Sequence, residues 1–513
     1  MNHLAIAPVL IPLLTGIVLL LGTGRPLALQ RSISFLSIVL QLIVAMFLIS
    51  GSFNGAITVY ALGNWTPPFG IVLVVDRLSA LMLLTTAVLA FFSLWYAVRG
   101  NDKPADSLHS VVHFLLMGIN GAFLTGDLFN LFVFFEVLLL ASYTLLLHGG
   151  GAARIKSGLH YVLLNLAGSS LFLLSAAILY SVTGTLNMAD MALKVAHASP
   201  EKTPLLTAGA LLLLVVFGLK AAMVPLYFWL PRAYASASAP VAAMFCIMTK
   251  IGLYAIIRVY SLIFGNDAGE LANVAHPFLW PLALITLALG ATGALAAREL
   301  RLQIAYLVVV SVGTLLAGIA LNTSAALSAT LYYLMHSTWV CAALFLLADI
   351  IMHQRGATAD RIITGPAVRQ AVMLGSLFFI ASAAIIGMPP LSGFVGKLMI
   401  LSAADSEQHT FWLWTLLLLS SFVMIIALSR SGSTIFWRTE NRTAKADKAD
   451  PGALLAVIGM LSLTLVLSLA GEPAIRFSQA LANQVMTPSL YINAVLGHQI
   501  KGDDPTARGQ DDE

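Results

Sequence analysis

Long apolar runs fill this chain of 513 residues, and only a few charges separate one run from the next. The hydrocarbon core of a bilayer takes about 20 apolar residues per helix. On that rule the runs predict fourteen membrane spans, near 4–22, 32–51, 72–98, 109–124, 130–148, 158–181, 206–230, 239–262, 278–297, 302–321, 325–350, 371–404, 411–430 and 453–470. Hydrophobic residues make up 59% and charged residues 10%, against about 25% charged in soluble domains. So few charges cannot cover a soluble surface of this size. The expected fold is an all-α polytopic membrane protein, with one transmembrane domain over 1–470. The first span is not read as a cleaved signal peptide, because no Lys or Arg precedes it and Arg25 and Arg31 follow.

The net charge of +4 forms no dense basic patch, so nucleic acid is not an expected partner. Where the charges fall is more telling. Odd-numbered connections between spans hold Arg25, Arg31, Arg99, Lys103, Arg154, Lys156, Arg232, Arg298, Arg301, Arg355, Arg361, Arg369, Arg430, Arg438, Arg442, Lys445 and Lys448. Even-numbered connections hold only Lys194 and Lys202. Cytoplasmic loops carry the excess of Lys and Arg, so the odd loops are expected in the cytoplasm and both termini outside. Residues 471–500 read as a short interfacial helix, and the tail to 513 as disordered.

Cofactor signatures are missing. No G-x-G-x-x-G follows a strand, and there is neither a P-loop nor a Cys-x-x-Cys pair. Cys246 and Cys341, the only two cysteines, both lie in apolar runs and read as buried small hydrophobes. No cofactor and no metal are expected.

An ionisable group at mid-bilayer costs at least a few kcal/mol, so its presence calls for a reason. Glu136 stands in "NLFVFFEVLLLASY", ~9 Å into its helix at 1.5 Å per residue. Lys220 in "VVFGLKAAMVPLYFWLP" and Lys250 in "CIMTKIGLYAIIR" lie ~21 and ~16 Å along theirs. Lys397 in "GMPPLSGFVGKLMIL" and His336 in "LYYLMHSTW" complete the set. One buried glutamate can be a structural hydrogen-bond partner, and one lysine can snorkel. Three deep lysines, a glutamate and a histidine together suit a proton relay, in which protons leave and arrive at modest cost.

Prolines mark two of these helices. Pro225 follows Lys220 and deprives the carbonyl of Ala221 of its donor, leaving it beside the ammonium. Pro389 and Pro390 free the carbonyls of Ile385 and Ile386 just before Lys397. Unwound backbone at membrane depth is tolerated where it is buried in protein or lines a wet cavity. The two broken spans are the seventh and the twelfth. An odd displacement of five makes spans four to eight (109–262) and nine to thirteen (278–430) inverted repeats, each with one discontinuous helix.

The run "GINGAFLTGDLFNLFVFFEVLLLASYTLLLHGG" (118–150) resembles the D-type subunit of the Mrp-type (Mnh or Pha) multisubunit cation/proton antiporters. "GLKAAMVPLYFWLPRAYASASAPVAA" (218–243), "RLQIAYLVVVSVG" (301–313) and "GMPPLSGFVGKLMIL" (387–401) agree. The first two of these are shared with the wider superfamily that includes the antiporter-like subunits of respiratory complex I. The resemblance implies a non-enzymatic subunit of a hetero-oligomeric complex in the bacterial inner membrane, exchanging cytoplasmic Na⁺ or K⁺ for external protons. It implies a switching ion pair of Glu136 and Lys220, with Lys250, His336 and Lys397 carrying the proton onward. Relatives often add a lysine after that histidine, where this chain has Val340 and Cys341. The alternative is a proton-pumping subunit of a complex I-type NADH:quinone oxidoreductase or a membrane-bound hydrogenase. A third is a scaffold for a neighbouring transport subunit.

Overall fold

A computed structural model describes residues 3–22, 24–102, 107–443 and 447–497. Lys103, Lys445 and the tail for which disorder is expected lie outside the described residues. Helices dominate. The first six are α1 (Ala7–Leu21), α2 (Leu27–Ser52), α3 (Arg77–Ala97), α4 (Leu108–Leu124), α5 (Leu128–Leu147) and α6 (Ala152–Thr183). Next come the short α7 (Met188–Ala196), then α8 (Thr203–Ala221), α9 (Trp229–Ser236), α10 (Ala239–Phe245), α11 (Met248–Leu262), α12 (His276–Ala296) and α13 (Leu300–Ala320). The last are α14 (Ser324–Gln354), α15 (Ala371–Ile386), α16 (Ser392–Ser402), α17 (Glu407–Gly432), α18 (Pro451–Leu469), α19 (Gly471–Val485) and α20 (Pro488–Leu496). Eleven helical stretches among the described residues are long and apolar enough to cross a bilayer, and α1, α4, α15 and α16 are shorter apolar helices.

Two small sheets qualify the all-α expectation. β1 (Thr58–Ala61) and β2 (Val72–Val75) form an antiparallel hairpin with Thr58 opposite Val75. β3 (Gly365–Ala367) and β4 (Thr439–Thr443) run parallel. Both sheets lie in connections between helices. The expected span 72–98 therefore begins as a strand and turns helical only at Arg77. Asp76 forces that start, because its Oδ1 accepts from the Ser79 amide at 2.9 Å while Ser79 Oγ accepts from the Asp76 amide at 2.9 Å.

Burial sorts the helices into a centre and a rim. α14 and the α10–α11 run are buried throughout their most apolar stretches, and α13 nearly so. α2, α6 and α17 instead turn rows of large apolar side chains outward, among them Leu36, Phe47, Leu159, Leu163, Phe411 and Phe422. A helix apolar all round with an open face suits lipid or a partner, not water. Small residues set the closest approach. A Cβ on Gly252 of α11 would stand 2.5 Å from the Ala221 amide nitrogen of α8, so α11 packs directly on the end of that helix.

The hairpin end is tied by charge. Arg258 of α11 pairs with Asp76 at 2.6 Å, their side chains 5% and 2% exposed, and lies over the Tyr491 ring of α20 at 4.9 Å. Arg77 donates to the carbonyls of Ser52, Phe53 and Ala480. α19 buries Leu481, Ala482 and Val485 beneath this clamp. At the opposite end Arg31 of α2 meets Asp102 through two bonds of 2.6 Å, and His109 of α4 adds a third at 3.1 Å. Burial pushes the Asp102 carboxyl up, but these donors outweigh it and hold the group well below the usual carboxylate range.

Removing one partner of a buried pair costs about 3–5 kcal/mol, and removing an exposed pair about 0–1. Arg258→Ala is therefore expected to lower the thermal unfolding temperature of the solubilised protein far more than Arg476→Ala, which breaks the exposed Arg476–Glu472 pair. Equal losses would refute a clamp at Arg258.

Candidate functional site

Glu136 is the ninth residue of α5, so it lies ~12 Å along that helix, deeper than the sequence spans place it. It accepts a short hydrogen bond from Ser169 Oγ of α6. Ser169 also faces Lys220, whose Nζ lies 3.4 Å from its Oγ, 3.2 Å from the Asn165 carbonyl and 3.3 Å from Asn165 Oδ1. Glu136 and Lys220 thus make no direct ion pair among the described residues. One hydroxyl stands between them. Phe135 adds its ring 6.0 Å from the ammonium.

The carbonyl that Lys220 reaches differs from the expected one. α8 stops at Ala221 because Ala222 turns left-handed at φ 62°. The chain then repairs the break without the lysine. Val224 donates its amide to Thr286 Oγ1 at 3.0 Å, and Trp229 donates its indole N–H to the Leu219 carbonyl at 3.0 Å. Lys220 points away to α6, where Asn165 offers two acceptors. The second break behaves as expected. Lys397 Nζ donates to the Ile386 carbonyl at 2.8 Å and to Ser421 Oγ of α17 at 3.0 Å.

His336 is fully buried and bridges that second break. Its Nε2 lies 3.1 Å from the Ala384 carbonyl in the last turn of α15, and its Nδ1 2.8 Å from Ser392 Oγ at the start of α16. A carbonyl only accepts, so Nε2 carries a proton, while Nδ1 and the serine hydroxyl share the second bond. Gly393 makes room, since a Cβ there would stand 2.2 Å from the Ala384 oxygen and 2.6 Å from His336 Nε2.

Lys250 occupies the centre, with 0% exposure. The span carrying it is not one regular helix. The turn at Cys246 and Ile247 tightens so that the Lys250 amide bonds to the Ile247 carbonyl three residues back, at 2.9 Å. Its Nζ lies 3.3 Å from Ser311 Oγ on α13. Thr314, one turn along α13, neighbours the Tyr333 hydroxyl, and the Tyr333 ring lies 5.8 Å from that of His336. The five ionisable residues thus fall into three polar clusters: Glu136 with Lys220, Lys250 with Ser311, and His336 with Lys397 around the second break. Asn165, Ser169, Ser311, Thr314, Tyr333, Ser392 and Ser421 complete these clusters, none of them singled out in the sequence. Their only signal there is a hydroxyl or amide inside an apolar run, which many structural side chains share. No group of three or more His, Cys, Asp or Glu suited to a metal occurs among the described residues.

Residues 125–424 match the family described as NADH:quinone oxidoreductase/Mrp antiporter. The chain is 39% identical to the D subunit of a probable K⁺/H⁺ antiporter of Rhizobium meliloti, over 97% of this chain and 98% of that protein. It is 38% identical to the D subunit of a Na⁺/H⁺ antiporter of Bacillus subtilis, over 97% and 100%. Among solved structures, the Mrp complex from Dietzia contains a chain of TM-score 0.88 at 28% identity, covering 97% of this chain and all of that one. Respiratory complex I from Thermus thermophilus supplies a fold match of TM-score 0.77 at 24% identity, over 94% and 99%.

The packing around His336 can be checked by one methyl group. Overfilling a close-packed site costs about 1–3 kcal/mol. Gly393→Ala is expected to destabilise the solubilised protein by that much, whereas Gly51→Ala, with open space around it, changes little. A neutral Gly393→Ala would show that His336 is loosely held.

Proposed function

We propose that this chain, which belongs to the NADH:quinone oxidoreductase/Mrp antiporter family, is the D-type subunit of a multisubunit Na⁺(K⁺)/H⁺ antiporter and carries its protons through the membrane centre. Near-complete alignment with antiporter D subunits at 37–39% identity supports the assignment. The observation that carries the mechanism is the line Glu136–Ser169–Lys220, with Lys250, His336 and Lys397 beyond it. The chain is a transporter component and not itself an enzyme.

The gate works through Ser169. When Glu136 approaches Lys220, opposite charges in a medium of low dielectric hold both ionised. When the carboxylate turns to Ser169, as here, the ammonium keeps only neutral acceptors and gives up its proton more readily toward Lys250. A tenfold change in proton affinity is about 1.4 kcal/mol, so a small movement of one side chain switches the transfer. From Lys250 the proton passes by Ser311, Thr314, Tyr333 and His336 to Lys397. Steps longer than a hydrogen bond are bridged by water.

Two inverted repeats within fourteen spans explain why both breaks look alike. α4 packs on α5 as α12 packs on α13, and α6 faces the first break as α14 faces the second. Ser169 of α6 and His336 of α14 then hold corresponding places beside Lys220 and Lys397. On this reading 1–470 form the membrane domain, the hairpin end and both termini lie outside, and the arginine-bearing end lies in the cytoplasm of a bacterial inner membrane. Glu136 also argues for partners. It is only half-buried, beside exposed Val133 and Leu140, and a carboxylate at that depth needs cover from another component of the complex.

A redox-coupled pump of complex I type would share this membrane chemistry, and the likeness to complex I keeps it as the second reading. In everted vesicles carrying the whole complex, Glu136→Ala and Lys220→Ala are each expected to abolish cation-driven proton exchange while the complex stays assembled. Near-normal exchange in either variant rejects the relay. Orientation has its own check, since both natural cysteines are buried. A membrane-impermeant thiol reagent should label Trp65→Cys from outside only and Lys448→Cys from the cytoplasmic side only.

A further inference from the structure

A relay in mid-membrane needs an outlet to water, and Lys220, Lys250, His336 and Lys397 are all buried. Outside that relay, α14 carries one more buried ionisable group. Asp349 is 3% exposed and lies thirteen residues beyond His336, ~20 Å along the helix. It accepts from the Tyr96 hydroxyl of α3 at 2.9 Å and has His353 Nε2 at 3.6 Å. No lysine or arginine pairs with it among the described residues. Beside it opens a cavity of about 490 Å³ at the arginine-bearing end, walled by Tyr96 of α3, by Arg99 just beyond that helix and by the segment before α18. Among the described residues, the charged groups lining that cavity with Asp349 are Arg99, His353, Asp447, Lys448 and Asp450, and Arg154 lies close enough to feel its charge. Arg99 is engaged at 3.8 Å with Asp450.

Between Asp349 and His336, α14 offers little to a proton. Thr338 lies three turns back on the Asp349 face, but Ala342 and Phe345 intervene. α3 fills that gap. Tyr96, Ser93 and Thr86 fall on one face at spacings of three and seven, with exposures of 3%, 0% and 1%. Trp339 donates its indole N–H to the Thr85 carbonyl at 3.3 Å, which sets this end of the stripe level with the turn after His336. Thr86 bonds back to its own helix. Ser93 Oγ has no hydrogen-bond partner among the described residues. A buried hydroxyl left unpaired costs about 1–3 kcal/mol.

We propose that Asp349, reached along the α3 hydroxyls Thr86, Ser93 and Tyr96, is the cytoplasmic exit of the proton route. The inference rests on the relay and orientation proposed above. A proton leaving the relay at His336 binds a hydroxyl oxygen, whose own proton moves on, with water bridging the two turns between Thr86 and Ser93, so each hydroxyl ends unchanged. The Asp349 carboxylate takes that proton and releases it to water in the cavity, and nothing is consumed.

The test uses everted vesicles carrying the assembled complex. Asp349→Asn is expected to lose at least tenfold in exchange with the complex intact, and Asp349→Glu to keep most of it. Asp349→Ala should regain part of its exchange when formate is supplied in the medium, a recovery that a structural role does not give. Thr86→Val and Ser93→Ala should each fall severalfold, while Asp450→Asn at the cavity wall stays within twofold of the parent. Exchange within twofold of the parent in Asp349→Asn, Thr86→Val and Ser93→Ala, with Glu136→Ala inactive, overturns the exit and leaves the relay standing. Full exchange in Glu136→Ala strikes the relay instead. If Asp349→Asn fails to assemble, Thr86→Val and Ser93→Ala decide the question.

Discussion

A peptide backbone inside hydrocarbon has no water to bond, so every amide and carbonyl must find its partner within the protein. That constraint shapes this molecule from end to end. Where the ladder runs unbroken the chain is an apolar helix, and where a proline interrupts it something else must satisfy the freed groups. Trp229 and Thr286 do so at the first break. Lys397 does so at the second, and His336 adds a bond to the neighbouring Ala384 carbonyl. The second solution is the telling one, because it spends titratable side chains on backbone repair and so holds them at membrane depth in fixed positions. The bonds that meet the structural need also fix these ionisable groups in place.

Much of the fold could be read from the sequence because bilayer thickness is a ruler. An apolar run of about 20 residues has few other uses, and the runs ending near Leu124, Ala320 and Leu469 end as helices there. The ruler fails where tertiary contacts decide. It read Val72–Val75 as the start of a span because these residues are apolar, but they are buried as a strand against β1. It gave no sign of the tightened turn before Lys250, which depends on how α10 and α11 are packed.

The site was legible for a different reason. Charge in an apolar run is rare and costly, so Glu136, Lys220, Lys250 and Lys397 stand out in any reading. What links them does not stand out. Ser169, Ser311 and Ser392 are serines inside helices, and such serines mostly bond back to their own carbonyls. Pro225 correctly marked a break, yet the nearest freed carbonyl is not the one Lys220 uses. Asn165, on a helix 55 residues earlier in sequence, presents two acceptors together, and only the packed structure reveals that.

Glu136 also has a bearing on biogenesis. A chain inserted alone leaves an acid open toward lipid on the outer side of α5, a state the bilayer penalises until a sister protein arrives. Unassembled copies are thereby distinguishable from assembled ones by a single half-buried carboxyl. Balanced synthesis of the complex's components, or prompt removal of surplus copies by membrane proteases, follows as a cellular requirement of keeping that residue where it is.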